Sequence, residues 1–167
     1  MSEKTNQPRI VVGLSHSTAS SSALLWAVNE ATLRQAVIEP VHAWQWSGEG
    51  RASYAPMGTW RCRDEEREAA ASDIRRAVAE IAPHLAPVIS HGSAPQVLLR
   101  HAEEADLLVL GCRAFDPDAP APIGPVVSAC LVRARCPVVV VTPDMVPSQR
   151  AHAKPLEFAG VPQLPLG

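Results

Sequence analysis

The chain has 167 residues, which fits one domain with a full hydrophobic core. Its 15 basic and 17 acidic residues form no long run of either sign, which argues against nucleic acid and against an anionic membrane as partners. No segment approaches the roughly 20 apolar residues that span a bilayer, and residues 1–10 lack the apolar core of a signal peptide, so we expect a cytoplasmic protein.

Two short β-branched runs flank the first helical stretch of the sequence. Residues 9–13 predict a strand that Pro8 precedes, and residues 37–44 predict the next strand. Between them lie a cluster of serine and threonine residues, which favour turns and helix N-termini, and an apolar stripe at helical spacing from Leu24 to Gln35. A strand, a helix and a strand in this order predict a βαβ unit.

The middle of the chain continues this alternation after a long loop. Residues 45–60 contain glycine and proline and predict a loop. Trp44, Trp46 and Trp60 lie at or near the ends of this loop, where they would form a lid, form a surface for a partner, or simply pack against the domain. Residues 63–82 predict a charged amphipathic helix, which Pro83 ends. Residues 86–90 predict the third strand, and residues 96–104 predict the helix after it.

Residues 107–142 have the pattern of a strand, a loop, a helix and a strand. Apolar residues at 107–110 are followed by Gly111, and residues 137–141 form a second apolar run; such short runs are typical of parallel strands buried on both faces. A glycine between a buried strand and a helix N-terminus is where α/β folds bind phosphate. The order of elements predicts an α/β fold, an open parallel five-stranded sheet with helices on both faces.

The predicted domain covers residues 8–143. Residues 144–167 are polar and rich in proline, which predicts an extended tail without a core of its own. The last strand is almost wholly apolar, and we expect it at an edge of the sheet, where Val138–Val141 would pair with its copy in a homodimer. The alternative is that the tail covers this edge.

Cysteine, histidine and serine residues are candidates for a redox-active thiol, a metal site and a nucleophile, respectively. The four cysteines lack zinc spacing and indicate free thiols, and Cys112 in the predicted loop is the candidate for a redox response. The six histidines are dispersed, so no metal site is expected, although His16 and His42 would lie near the cleft. Residues 13–17, GLSHS, partly match a nucleophile elbow with Ser15 as the nucleophile; a serine-rich helix N-cap is the interpretation we favour.

Several pieces of the sequence, in the right order and at the right distances, resemble the universal stress protein family. They are IVVGLSHSTASSSALLWAVNEA, VHAW, LLVLG and IGPVVSACLVRARCPVVVV, within residues 8–142. The resemblance implies a Rossmann-like, adenine nucleotide hydrolase-like domain, often dimeric through its last strand, in a family of which some members bind ATP and others do not. It also implies candidate nucleotide contacts at Gly13, Ser15, Val41, Gly111, Arg113, Gly124 and Val126.

The ATP-binding members carry a G-x-x-G-x9-G-[ST] loop after the fourth strand, and this chain matches only part of it. Gly111 and Gly124 hold the first and third glycine positions, whereas Ala114 replaces the second glycine. Pro125 stands where serine or threonine belongs, and proline has neither a hydroxyl nor an amide hydrogen to offer a phosphate. Ser15 stands where the family has an aspartate.

The loop itself adds to these departures. Asp116 and Asp118 place negative charge beside an anionic ligand, at about 1 kcal/mol each near a protein surface, and three prolines stiffen the loop. We therefore expect a non-catalytic, stress-response binding and regulatory module, with a degenerate ATP motif, no cofactor and another protein as a possible partner. The alternative is a protein that binds ATP or another adenine nucleotide with slow or no hydrolysis, helped by Mg²⁺ on a carboxylate.

Overall fold

Five strands and four helices alternate along the residues that the computed structural model describes, which are 7–48, 62–113 and 123–143. In chain order they are β1 Arg9–Leu14, α1 Thr18–Arg34, β2 Val37–Trp44, α2 Arg63–Ile81, β3 Val88–His91, α3 Ala94–Ala102, β4 Leu107–Gly111, α4 Pro125–Arg133 and β5 Val138–Val141. The predictions for the proline-rich tail, for most of the loop at 45–60 and for Trp60, Ala114, Asp116 and Asp118 lie outside the described residues.

The strands form one parallel sheet in the order β3-β2-β1-β4-β5, which confirms the predicted fold. β1 is central, and its Gly13 pairs with Val41 of β2 on one side and with Leu110 of β4 on the other. The chain adds β2 and β3 on one side of β1 and then crosses to add β4 and β5 on the other. In open α/β sheets, ligands bind outside the C-terminal strand ends at this reversal, which here lies between β1 and β4.

Helices cover both faces of the sheet because successive side chains of each strand point to opposite faces. Ile10 of β1 belongs to a buried cluster with Leu24 of α1 and Ile74 of α2. The next residue, Val11, belongs to a second cluster with Leu98 of α3. The helices on both faces, predicted from the alternating elements, are therefore confirmed, and the apolar residues 107–110 of β4 are all buried.

Two elements begin at other residues than the sequence pattern predicts. The third strand is β3, shifted toward the C-terminus from the predicted 86–90, because Pro87 has no N–H to give to a parallel ladder. The following helix begins at Ala94 and not at residue 96, because Ser93 occupies the N-cap and Pro95 is tolerated in a first helical turn. Each shift is two residues at the start of its element.

The outer strands of the sheet are β3 and β5, so the last strand lies at an edge, as its position in the sequence predicts. Within the described part of the chain, no helix is long and apolar enough to cross a membrane.

Candidate functional site

An open cleft lies at the C-terminal ends of β1 and β4, where the strand order reverses. Two adjoining cavities of about 230 and 160 Å³ share Gly111, Val126 and Val127 in their walls, and together we call them the switch cleft. Six of the seven candidate positions line it: Gly13, Ser15, Gly111, Arg113, Gly124 and Val126. The seventh, Val41, is fully buried and lies beside Gly13 in the sheet.

Apolar side chains from two helices form walls of the switch cleft that the motif does not include. Ala94 and Leu98 come from α3, and Val127 comes from α4. The sequence marks these residues only by helical periodicity, which does not distinguish a cleft wall from a core position. Arg113 is the charged side chain among the described residues of the switch cleft, so the cleft combines apolar walls with one cation.

Gly111 is required by the packing of α1 against the end of β4. A Cβ atom at Gly111 would lie 2.3 Å from the carbonyl oxygen of Ala19 and 2.8 Å from the amide nitrogen of Ser20, both in the first turn of α1. Backbone atoms cannot rotate out of the way as a side chain can. The first glycine of the motif therefore has a structural reason that does not depend on a ligand.

Gly124 differs from Gly111, because a Cβ atom there would meet no atom of the described residues within 4 Å. It is the N-cap of α4, with φ −63° and ψ 156°, values that other residues adopt readily. Its carbonyl oxygen accepts the first helical hydrogen bond from Ser128 at 3.0 Å. Among the described residues, no packing contact therefore demands glycine here, and Gly124 lines the switch cleft.

The N-terminus of α4 points its first turn toward the switch cleft without a polar side chain. Pro125 is the first helical residue and has no N–H, while Val126 and Val127 follow it, and Val127 is 6% exposed. The first amide groups of a helix lack partners within the helix and favour an anion. This turn therefore offers the Val126 and Val127 amides at most, and no hydroxyl.

The serine cluster after β1 forms the N-cap of α1, as the sequence predicts. The Ser17 hydroxyl accepts a hydrogen bond from the Ser20 amide at 3.3 Å, and the Ser15 amide donates to the Ser20 hydroxyl at 2.9 Å. The Ser15 hydroxyl is 2.9 Å from that of Ser17. Within the described residues, no histidine is hydrogen-bonded to Ser15, so the structure offers this hydroxyl no general base for nucleophilic attack.

His42 lies beside the end of β1, and its proton position follows from its hydrogen bond. Nδ1 is 3.0 Å from the carbonyl oxygen of Leu14, which can only accept, so Nδ1 carries the hydrogen. Burial lowers the pKa of His42, the hydrogen bond to Leu14 offsets part of this, and His16 lowers the pKa further. The His16 ring stands edge-on to it at 5.4 Å between centroids. A neutral imidazole is therefore favoured at this strand end.

Thiols and potential metal ligands are spread through the fold. Cys112 is partly exposed and lines the switch cleft, whereas Cys130 is buried in α4, and all four cysteines are free. Burial raises the pKa of the Cys130 and Cys136 thiols. In the part of the chain that the structure describes, no three His, Cys, Asp or Glu side chains come together as metal ligands.

A family model and two curated relatives relate the chain to universal stress proteins. The universal stress protein family model matches residues 8–142. A universal stress protein of Mycobacterium tuberculosis, strain CDC 1551 / Oshkosh, is 27% identical over 158 residues, which cover 92% of this chain and 54% of the relative. A universal stress protein of strain H37Rv matches equally. The chain thus spans about half the length of these curated relatives.

Solved structures share the fold. UspA from Lactobacillus plantarum has a TM-score of 0.58 at 24% identity, with 80% of this chain and 97% of that chain covered. A universal stress protein crystallised with cAMP also has a TM-score of 0.58, at 22% identity, with 80% of this chain and 96% of that chain covered.

Proposed function

The chain belongs to the universal stress protein family, and on that premise we propose that it is a non-catalytic binding and regulatory module whose ATP-binding motif is degenerate. The observation that carries the proposal is the first turn of α4, in which Pro125 and two valines occupy the positions that face the switch cleft. A phosphate held there would lack one amide and one hydroxyl compared with a turn that begins with serine. A hydrogen bond to a charged group contributes about 1.5–3 kcal/mol.

The remaining chemistry of the switch cleft suits a ligand or partner group of low charge. Leu98, Val126 and Val127 present apolar surface, and apolar walls with a few polar groups are typical of binding sites for small molecules. Arg113 provides one exposed cation, which is little for the several negative charges of a nucleoside triphosphate. We propose no role in turnover for the described residues of the switch cleft and no resident cofactor.

A second candidate is an adenine-nucleotide binder, and one observation favours it. Gly124 and Arg113 line the same cavity at the N-terminus of α4, and no described residue comes within 4 Å of a Cβ atom placed on Gly124. A helix N-terminus beside a cation attracts anions. A universal stress protein with the same fold was crystallised with cAMP, a nucleotide with a single phosphate. We expect hydrolysis to be slow or absent, because no His, Asp or Glu side chain is among the described residues that line the switch cleft.

Calorimetric titration with Mg-ATP and with cAMP separates the two candidates. The unaltered chain should show no binding of either nucleotide below about 1 mM, whereas Pro125→Ser should bind Mg-ATP at least about tenfold more tightly than the unaltered chain, because about 1.4 kcal/mol is regained. Pro83→Ser, at an exposed residue just after α2, is the matched control and should behave as the unaltered chain. Micromolar binding of either nucleotide by the unaltered chain would reject the first candidate and support the second.

We also propose that two copies of the chain pair through β5. Pro137 and Val141 accept hydrogen bonds from Leu108 and Cys112 of the β4 side, so the alternation of a strand leaves the backbone groups of Val138 and Val140 at the outer edge. Leu131 and Val132 on the neighbouring helix α4 are exposed, at 45% and 85%. An apolar edge beside exposed apolar side chains favours a dimer. A cytoplasmic location and another protein as partner remain predictions from the sequence.

A further inference from the structure

A chain of hydrogen bonds joins a serine, a histidine and a glutamate on the α3 side of the sheet, away from the switch cleft. The Ser90 hydroxyl of β3 is 3.1 Å from Nε2 of His101 in α3, and Nδ1 of the same ring is 2.5 Å from Oε1 of Glu39 in β2. Arg9 of β1 contacts the other carboxylate oxygen of Glu39, through Nε at 2.6 Å and through its terminal nitrogen. Each of the four residues comes from a different element.

The proton positions along this chain follow from the donors and acceptors. An ionised carboxylate only accepts, so the hydrogen on Nδ1 of His101 is donated to Glu39. In the neutral ring, Nε2 then has a free electron pair that accepts the hydroxyl hydrogen of Ser90. Nucleophile, base and orienting carboxylate therefore stand in the order that activates a serine, and such a constellation is defined by geometry and not by position in the sequence.

The surroundings hold this arrangement and leave it open to a reactant. Arg9 fixes the carboxylate of Glu39, whose side chain is 20% exposed, and the side chain of His101 is 17% exposed. Ser90 is partly exposed on β3, an outer strand of the sheet. A cavity of about 260 Å³ borders His101 and lies between Arg9, Arg100, Glu103 and Glu104. Ser90 itself does not line this cavity, so an incoming molecule would reach its hydroxyl from the solvent beside the outer strand β3.

We propose that Ser90 is an activated nucleophile that accepts an acyl group from activated esters, with His101 as its general base and with Glu39 and Arg9 as positioning residues. The Ser90 oxygen forms a bond to the acyl carbon while its proton passes to Nε2 of His101. The bond from the acyl carbon to the leaving oxygen breaks, and His101 returns the proton to that oxygen. The products are an ester on Ser90 and the free alcohol or phenol, one per chain. This modification site is independent of the switch cleft.

The test uses the full chain with p-nitrophenyl acetate, and peptide mass spectrometry locates the acetyl group. The internal comparison is Ser93, three residues further along. Its hydroxyl is hydrogen-bonded to Gln96 at 2.9 Å, and the described residues give it no histidine hydrogen-bond partner. General-base assistance is worth about 10²–10⁴-fold, so Ser90 should be acetylated at least about 100-fold faster than Ser93. Release of p-nitrophenol should show a burst of one equivalent per chain.

Substitutions test whether His101 and Glu39 activate Ser90 or only form a structural hydrogen-bond network with it. His101→Gln should lower the acetylation of Ser90 to the rate of Ser93. Glu39→Gln should lower it by a smaller factor, because the base remains in place, and Ser93→Ala should leave it unchanged. Equal rates at Ser90 and Ser93 in the unaltered chain would overturn the proposal, and this comparison requires no variant to fold. Unchanged acetylation of Ser90 in a folded His101→Gln chain would overturn it as well.

Discussion

Replacing Gly111 by alanine should destabilise the fold, although the residue lies in what the sequence presents as a ligand loop. The added Cβ would lie 2.3 Å from the Ala19 carbonyl oxygen, and real Cβ contacts essentially never fall below 3.0 Å, so β4 and the first turn of α1 must separate by at least 0.7 Å. Ala19 and Ser20 are buried, at 3% and 4% exposure, so the shift disturbs packed residues. Such overpacking costs about 1–3 kcal/mol.

The matched variant is Gly124→Ser, at the other glycine of the motif. A Cβ atom there meets no described residue within 4 Å, and serine is a better N-cap than glycine, so stability should stay equal or rise by a few tenths of a kcal/mol. Urea denaturation measures both changes, and the melting temperature should fall by about 2–4 °C for each kcal/mol lost. A free energy of unfolding for Gly111→Ala within about 0.5 kcal/mol of the unaltered chain would contradict a packing role for Gly111, as would equal destabilisation by Gly124→Ser.

Three further results are expected. The pKa of His42 is lowered in the fold by burial, so the unfolded chain binds the proton more readily, and the free energy of unfolding should fall as the pH drops below about 6.5. In urea titrations, His42→Asn should flatten this dependence between about pH 7.5 and 5.5. An unchanged slope in the variant would contradict this prediction. Val140→Pro removes an outward amide from β5 and should give a monomer by light scattering, whereas a dimer that persists would exclude pairing through β5. Cys130 is buried and its thiol pKa is raised, so mass spectrometry should find it alkylated by iodoacetamide only after unfolding. Alkylation of Cys130 in the folded chain would contradict its burial.

The sequence alone determined the fold class because local patterns encode it. Unbroken apolar runs such as residues 107–110 require burial on both faces, and alternation with amphipathic helices then leads to a parallel sheet. The family resemblance rests on motif residues at fixed spacing, among them Gly111 and Gly124. The first residue of an element is less well determined by the sequence, as β3 shows. The apolar residues around Pro87 predict a strand that includes this proline, whereas the observed strand begins after it.

The tertiary structure decided what the same residues do. Gly111 and Gly124 have equal weight in the motif. Within the described part of the chain only Gly111 is packed against backbone, because Ala19 approaches it from a helix 92 positions earlier in the sequence. Glu39, Ser90 and His101 carry no local signal, since 62 residues separate Glu39 from His101, and only the strand order brings them together. Sequence periodicity records which face a residue occupies, whereas contacts between distant elements depend on how those elements are arranged in space.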